Sequence, residues 1–247
     1  MRILKANENI SYVKTQEFFR RRIDKYNSDS PYSLTMYQDN HPELVRKRNE
    51  KEVFTLLPKL RLDESSKILD VACGIGRWSD AINIEIKNYC GVDFCEDFIL
   101  LAKKRNKDKV NRHFYVSKSD DVALCLNKNN EGRFNRILLV GCLVYLNDVD
   151  VVQTLESVES ACEENTIICV REPIGLNERL TLKEHFSEEL GDCYNAIYRT
   201  RNELVNFFEN TLINKGFRIE EERLLFEDQT LNNRKETAQY YFILKRG

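Results

Sequence analysis

A doubly wound α/β fold, with helices on both faces of a seven-stranded sheet, is the architecture this sequence predicts. The first sign is residues 68–78, Ile-Leu-Asp-Val-Ala-Cys-Gly-Ile-Gly-Arg-Trp, where apolar residues lead through an acid into small residues and two glycines. Such a run is a buried parallel strand ending in a tight turn that opens a helix. The second sign is residues 89–93, Tyr-Cys-Gly-Val-Asp, another strand-like run that ends in an acid. The third is the alternation of strand and helix patterns from about residue 66 onward, which a doubly wound sheet requires.

Strands are predicted at residues 67–72, 89–93, 112–116, 136–140, 166–171, 217–226 and 239–245, the last pair forming an antiparallel hairpin. Helices are predicted at 96–105, 148–162 and 201–215. The last of these is punctuated by Thr200 and Glu203 as a capping box and by Gly216 at the position just past its end. Residues 1–65 hold two further helical patterns, near 15–26 and 42–57, with Pro42 at a first helical position and His41 or Asn40 as its cap. Between them, residues 27–40 form a polar loop rich in aromatics, and a second insertion of about residues 175–198 follows the fifth strand. The organisation is thus an N-terminal helical cap over residues 1–65 and one α/β domain over residues 66–247.

Composition narrows the class. Hydrophobic residues make up 42%, enough for a core, and charged residues 32%. No apolar run approaches the roughly 18 residues of a membrane span. The N-terminus lacks a signal-peptide core, so a cytoplasmic protein is expected. A net charge of −2 offers no general field for nucleic acid, which is not an expected partner. The eight cysteines are scattered and none forms C-x-x-C, so reduced core thiols are expected and no metal site or disulfide. Nothing in the sequence sets an oligomeric state.

The glycine turn discriminates between ligands. A dinucleotide fingerprint G-x-G-x-x-G laid on Ala72 and Gly74 puts Arg77 where the third glycine should pack. Starting it at Gly74 gives Gly74, Gly76 and Ser79, which also departs from the pattern. A diphosphate further needs free backbone N–H groups at the helix start. An acid in the position of Asp70 suits the ammonium of an amino acid instead, and one at the end of the next strand accepts from both hydroxyls of a ribose. On these residues the segment resembles the nucleoside-binding half of the class I S-adenosylmethionine-dependent methyltransferases, a Rossmann-like family whose strand order the seven predicted strands match.

The resemblance implies S-adenosylmethionine as cofactor and S-adenosylhomocysteine as product. The backbone at Ala72, Cys73, Gly74 and Gly76 would pass the methionine, with Asp70 ordering the turn or meeting the ammonium. Asp93 would hold the ribose and Phe94 would lie against the adenine. Lys118 stands where the family often has an acid, so Ser119 and Asp120 are its substitutes at the adenine amino group. Gly141 and Leu143 would line the site beneath the methyl group, and Tyr145 stands near the family's frequent histidine. The two insertions sit where the family commonly builds its lid and acceptor pocket.

Residues 35–48, Thr-Met-Tyr-Gln-Asp-Asn-His-Pro-Glu-Leu-Val-Arg-Lys-Arg, resemble a signature of methyltransferases from bacterial surface-polysaccharide (capsule and O-antigen) gene clusters. That resemblance implies a lid over the cofactor, with Tyr37 and Gln38 facing the site and Arg48 available for the methionine carboxylate. It also implies O-methylation of a sugar or phosphate-bearing group during polysaccharide biosynthesis. N-methylation of an amino sugar or small amine is the alternative, and a cofactor-binding scaffold is the reading outside enzymes.

Methyl transfer from a sulfonium is an in-line displacement in which positioning does much of the work. A sugar hydroxyl needs a general base, a neutral amine needs only to lose a proton, and a phosphate or phosphoramidate oxygen is already anionic. Candidate bases are His41, His185, Tyr37, Tyr145 and Glu172, while His113, at a strand, reads as structural. Arginine suits phosphate because its planar fork makes paired hydrogen bonds. Arg171 and Arg199, at predicted strand and helix ends, are expected to rim the acceptor pocket, with Arg179, Arg21 and Arg22 as further cations. The expected acceptor is a small or glycan-linked molecule bearing negative charge.

Overall fold

The protein is described by a computed structural model covering residues 1–232 and 234–247. The chain begins with β1 (Arg2–Leu4), α1 (Tyr12–Arg22), α2 (Ser33–Met36) and α3 (Pro42–Leu56). Alternation follows: β2 (Lys67–Val71), α4 (Arg77–Ala81), β3 (Asn88–Asp93), α5 (Glu96–Arg105), β4 (Arg112–Val116), α6 (Val122–Lys128), β5 (Phe134–Val140) and α7 (Asp148–Ser160). The chain ends with β6 (Cys162–Gly175), β7 (Leu180–Ser187), β8 (Asp192–Tyr198), α8 (Arg201–Thr211), β9 (Arg218–Leu224) and β10 (Thr237–Arg246).

The seven predicted strands form one sheet in the order β4-β3-β2-β5-β6-β10-β9. The first five are parallel, and β10 runs antiparallel between β6 and β9. The chain moves outward from β2 to β4 and then returns to the other side of β2 at β5. That reversal leaves a crevice at the carboxyl ends of β2 and β5, where open α/β sheets bind ligands. Alternate residues feed two cores: Leu69, Val71, Ile137 and Leu139 pack on one face, and Ile68 and Leu138 on the other. The capping box of α8 is formed, and Gly216 takes the left-handed conformation at φ +91°. All eight cysteines are free thiols.

The segments outside the sheet differ from expectation. The insertion after β6 is a hairpin, β7–β8, and β1 adds to it as an antiparallel third strand with Arg2 opposite Leu182. The N-terminal cap is therefore not purely helical. Helix α1 starts at the Ser11 cap, whose side chain accepts from Lys14 N, and closes in a 3-10 turn. Phe18 and Phe19 of α1 pack with Leu182, Leu190, Tyr194 and Tyr198 of the hairpin, so cap and insertion share one core. His41 stands at the N-cap of α3 but its side chain makes no capping bond, and it approaches Glu189 Oε2 at 3.8 Å instead.

The loop between β5 and α7 is clamped from both sides. Its N–H groups at Cys142, Leu143 and Val144 donate to the Glu172 carboxylate at 2.8, 2.9 and 3.0 Å. Its carbonyls at Leu143 and Leu146 accept from Arg199 at 2.7 Å each, and the same guanidinium binds Asp148 Oδ1 at 2.6 Å. Arg199 is 1% exposed. The expectations that Arg199 rims a pocket and that Glu172 serves as a base fail, because each side chain is consumed in satisfying backbone groups that water cannot reach. Replacing Arg199 with Lys keeps the charge but loses the fork. We expect Arg199→Lys to lower unfolding free energy by about 2–4 kcal/mol in urea titration. An unchanged midpoint would dismiss the clamp.

Candidate cofactor and acceptor site

At the carboxyl ends of the parallel strands lies a cavity of about 280 Å³. Ala72 and Gly74 from the glycine turn, Asp93 and Phe94 after β3, and Ser117, Lys118, Ser119 and Asp120 after β4 form its floor and sides. Tyr12, Gln16 and Phe19 of α1 close it from above. Ala72, Gly74 and Gly76 all have positive φ, at 61°, 55° and 81°. Only glycine takes that conformation without cost, so Ala72 carries local strain. A Cβ on Gly74 would come within 3.0 Å of Thr35 Cγ2, so the turn and the cap meet at a point where only a hydrogen fits. Asp93 accepts from Gly74 N and Cys95 N, both at 2.9 Å, and burial lifts its pKa to about 6. Ser119 bonds Thr154 Oγ1 at 2.9 Å, and Phe94 meets Phe19 edge to face.

A second cavity, of about 250 Å³, shares Thr35, Tyr37, Ala72, Gly74, Val140, Gly141 and Tyr145 with the first. Asp70 lines it, accepts from Tyr89 Oη at 2.5 Å, and has its pKa raised by burial to about 7. Beside it Glu52 of α3 binds Arg77 at 2.7 Å and Arg171 at 3.2 Å, all three buried or nearly so. Tyr37 and Tyr145 meet edge to face with ring centroids 6.4 Å apart, and burial pushes both phenols well above their usual range. Deeper in, Tyr194 and Tyr198 of β8 face Arg234, which donates to both phenol oxygens and lies over both rings. Among the described residues Arg234 forms no ion pair.

The structure brings Tyr37, Gln38, Arg48, Asp70, Ala72, Cys73, Gly74, Gly141 and Tyr145 to the second cavity, and Asp93, Phe94, Ser119 and Asp120 to the first. Other candidates lie elsewhere. Gly76 turns its hydrogen toward Asn106 and Phe114 and serves the turn alone. The Leu143 side chain is in the core, since its 3-10 turn points it inward. His185 sits on β7 against Tyr194, outside both cavities. The side chain of His41 is 60% exposed in an outer groove. His113 pairs with Glu131 at 2.6 Å at the far edge of the sheet. Among the described residues no histidine lines either cavity.

The expected anion-binding arginines are already paired. Arg21 binds Asp192, Arg22 binds Asp39, Arg179 binds Asp148 and Glu203, and Arg171 lines the cavity neutralised by Glu52. The sequence did not single out Glu52, Arg77, Tyr194 or Arg234. Residues 194–198 are buried on both faces of β8, so no alternation marks Tyr194 in the sequence. Glu52 and Arg234 carry no signal either, being a charged residue in a charged helix and an arginine in a loop.

Residues 68–165 match the sequence model of the methyltransferase domain family. Phosphoethanolamine N-methyltransferase 1 of Caenorhabditis elegans is 23% identical over 154 residues, which are 62% of this chain but 30% of that protein. This chain therefore matches less than a third of that relative's length. Among solved structures, phosphoethanolamine N-methyltransferase 1 of Haemonchus contortus, in complex with phosphoethanolamine and S-adenosylhomocysteine, has a TM-score of 0.67 at 14% identity, covering 96% of this chain and 50% of that one. A SAM-dependent methyltransferase of Leishmania major has a TM-score of 0.64 at 15% identity, covering 94% of this chain and 82% of that one. Among the described residues no helix is long and apolar enough to cross a membrane. Sheet order and glycine turn agree with that match: over residues 68–165 the chain is similar to the methyltransferase domain family, and its fold is that of solved methyltransferases.

Proposed function

We propose that this chain methylates the nitrogen of a small amine that carries a phosphate or similar anionic group. The observation that carries this reading is the second cavity: four tyrosines wall it, Arg234 stands in it with no ion pair among the described residues, and no described histidine reaches it. When bound, S-adenosylmethionine supplies an electrophilic methyl group on a sulfonium. Asp93 would hold the ribose, Phe94 the adenine face, Ser119 and Asp120 the adenine amino group, and Asp70 the ammonium. Tyr37 lines both cavities at their junction and Gln38 lines the second, where the two would limit access of water.

The acceptor side follows from proton chemistry. A hydroxyl needs a general base, and the high pKa of Tyr37 and Tyr145 keeps both phenols protonated at neutral pH. Glu52, Asp70 and Glu189 are the carboxylates of this cavity, and each already accepts hydrogen bonds. A neutral amine needs no such base: its lone pair forms the new bond to carbon, the sulfonium leaves as a thioether, and the proton passes to solvent. Arg234 offers its fork to the anionic group, with Tyr194 and Tyr198 hydroxyls beside it. The named substrate of two similar proteins, phosphoethanolamine, has this chemistry. This chemistry favours N-methylation of a small amine over O-methylation of a polysaccharide sugar. Transfer to an already anionic phosphate oxygen also needs no base, but it would place the anion beside the sulfonium rather than at Arg234.

Radiolabelled methyl groups should enter phosphoethanolamine in preference to ethanolamine or a neutral sugar. Turnover of a neutral hydroxyl acceptor with none of a phosphate-bearing amine would dismiss the proposal. Arg234→Met should raise the acceptor KM about tenfold or more, the loss of a charge-assisted hydrogen bond pair, while affinity for S-adenosylhomocysteine stays within about twofold.

Cofactor binding should depend on pH. Asp93 and Asp70 have raised pKa values of about 6 and about 7, so their ionised, hydrogen-bond-accepting forms dominate only above that window. Calorimetric affinity for S-adenosylhomocysteine should therefore fall by about tenfold or more between about pH 8 and pH 5. A flat profile would remove both carboxylates from the cofactor site.

A further inference from the structure

Arg48 is the feature that the proposed reaction leaves unused. It is 5% exposed on α3, and its Nε is buried without a hydrogen-bond partner. Among the described residues its guanidinium takes part in no hydrogen bond or ion pair, although Glu189 attracts it from a distance. A buried arginine without a partner is costly, and burial here lowers its affinity for its proton. Arg48 lines the acceptor cavity and also an open outer groove of about 750 Å³ between the start of α3 and the turn of the β7–β8 hairpin. Gln38, Glu189 and Asn232 share that position, so the groove opens directly into the cavity.

The groove carries both signs of charge around Arg48. Lys47 and His41 lie along it, while the acids there are engaged: Glu43 pairs with Arg46 at 2.9 Å, and Glu189 accepts from Asn40 N at 3.2 Å and faces His41. The adenosine cavity does not include Arg48.

We infer that Arg48 forms a second anion subsite at the mouth of the acceptor cavity, so that the acceptor is a diphosphate- or phosphodiester-linked amine whose remainder lies in the outer groove. This rests on the reading of the tyrosine-walled cavity as the acceptor site. Arg234 would hold the anionic group nearer the nitrogen and Arg48 the one farther out. The competing role for Arg48, holding the methionine carboxylate, makes an opposite demand, because a bound cofactor would then fill the subsite.

The test uses the full chain saturated with S-adenosylhomocysteine and titrated with inorganic phosphate and inorganic pyrophosphate, read by calorimetry and by the rise in melting temperature. The wild type should bind pyrophosphate about tenfold more tightly than phosphate, as an added charge-assisted contact requires. Arg48→Met should erase that advantage, and Arg48→Lys should restore part of it. Equal affinity of the wild type for the two anions overturns the inference. So does an Arg48→Met protein that keeps the pyrophosphate advantage, or one whose affinity for S-adenosylhomocysteine falls about tenfold, which would assign Arg48 to the cofactor carboxylate. An Arg234→Met protein that binds phosphate as the wild type does would instead count against the inner site alone, leaving the Arg48 result to stand or fall separately.

Discussion

One buried carboxylate, Glu52, ties together three parts of the molecule. It belongs to α3 in the cap, and it holds Arg77 at the start of the helix after the glycine turn and Arg171 on β6. Arg171 in turn reaches Gln239 on β10, and Arg77 lies over the Trp78 ring. Without Glu52 two guanidiniums would share one buried wall, and removing one member of such a group leaves charge that nothing else compensates. With it, those two arginines become structural, and among the described residues Arg48 and Arg234 are the cavity's arginines that form no ion pair. One carboxylate between two guanidiniums leaves a net positive charge on that wall of the cavity.

The parallel sheet was legible because its strands are buried on both faces, so Ile68 through Val71 and Ile137 through Val140 read as unbroken apolar runs around single acids or turns. The ends of β2 and β3 were legible for a related reason: an acid at the carboxyl end of a buried strand, as at Asp70 and Asp93, has few structural excuses. The turn was only partly legible. Gly74 and Gly76 announce positive φ, whereas Ala72 adopts the same conformation under a letter that conceals it.

The β7–β8 hairpin was hidden by its own irregularity. Its register shifts between Leu182 and His185, and Glu184 sits at positive φ, so the alternation of polar and apolar residues breaks in the middle of the strand. β1 is too short, at three residues, to show a period. The arginines were misread for a different reason. Sequence reveals where an arginine stands in a strand or helix, but Arg199 finds Asp148 and Arg171 finds Glu52 only through the fold. Arginines at element ends are also where unpaired carbonyls collect, so the same position suits a clamp and a ligand site equally well.

The pairing of β1 with β7 bears on the order in which the molecule assembles. Arg2 and Leu182 are 180 residues apart in sequence, so closing that contact requires the largest loop in the cap sheet, and such closures come late. The contacts of the large sheet between β2, β3 and β4 are far more local. The crevice at the carboxyl ends of β2 and β5 would then form before the β1–β7–β8 sheet closes over it. A nucleoside would have an open door to the half-built protein, and the cap would fold down over an occupied floor; pulse-labelled refolding, with β1 amides protected last, is the signature of that sequence of events.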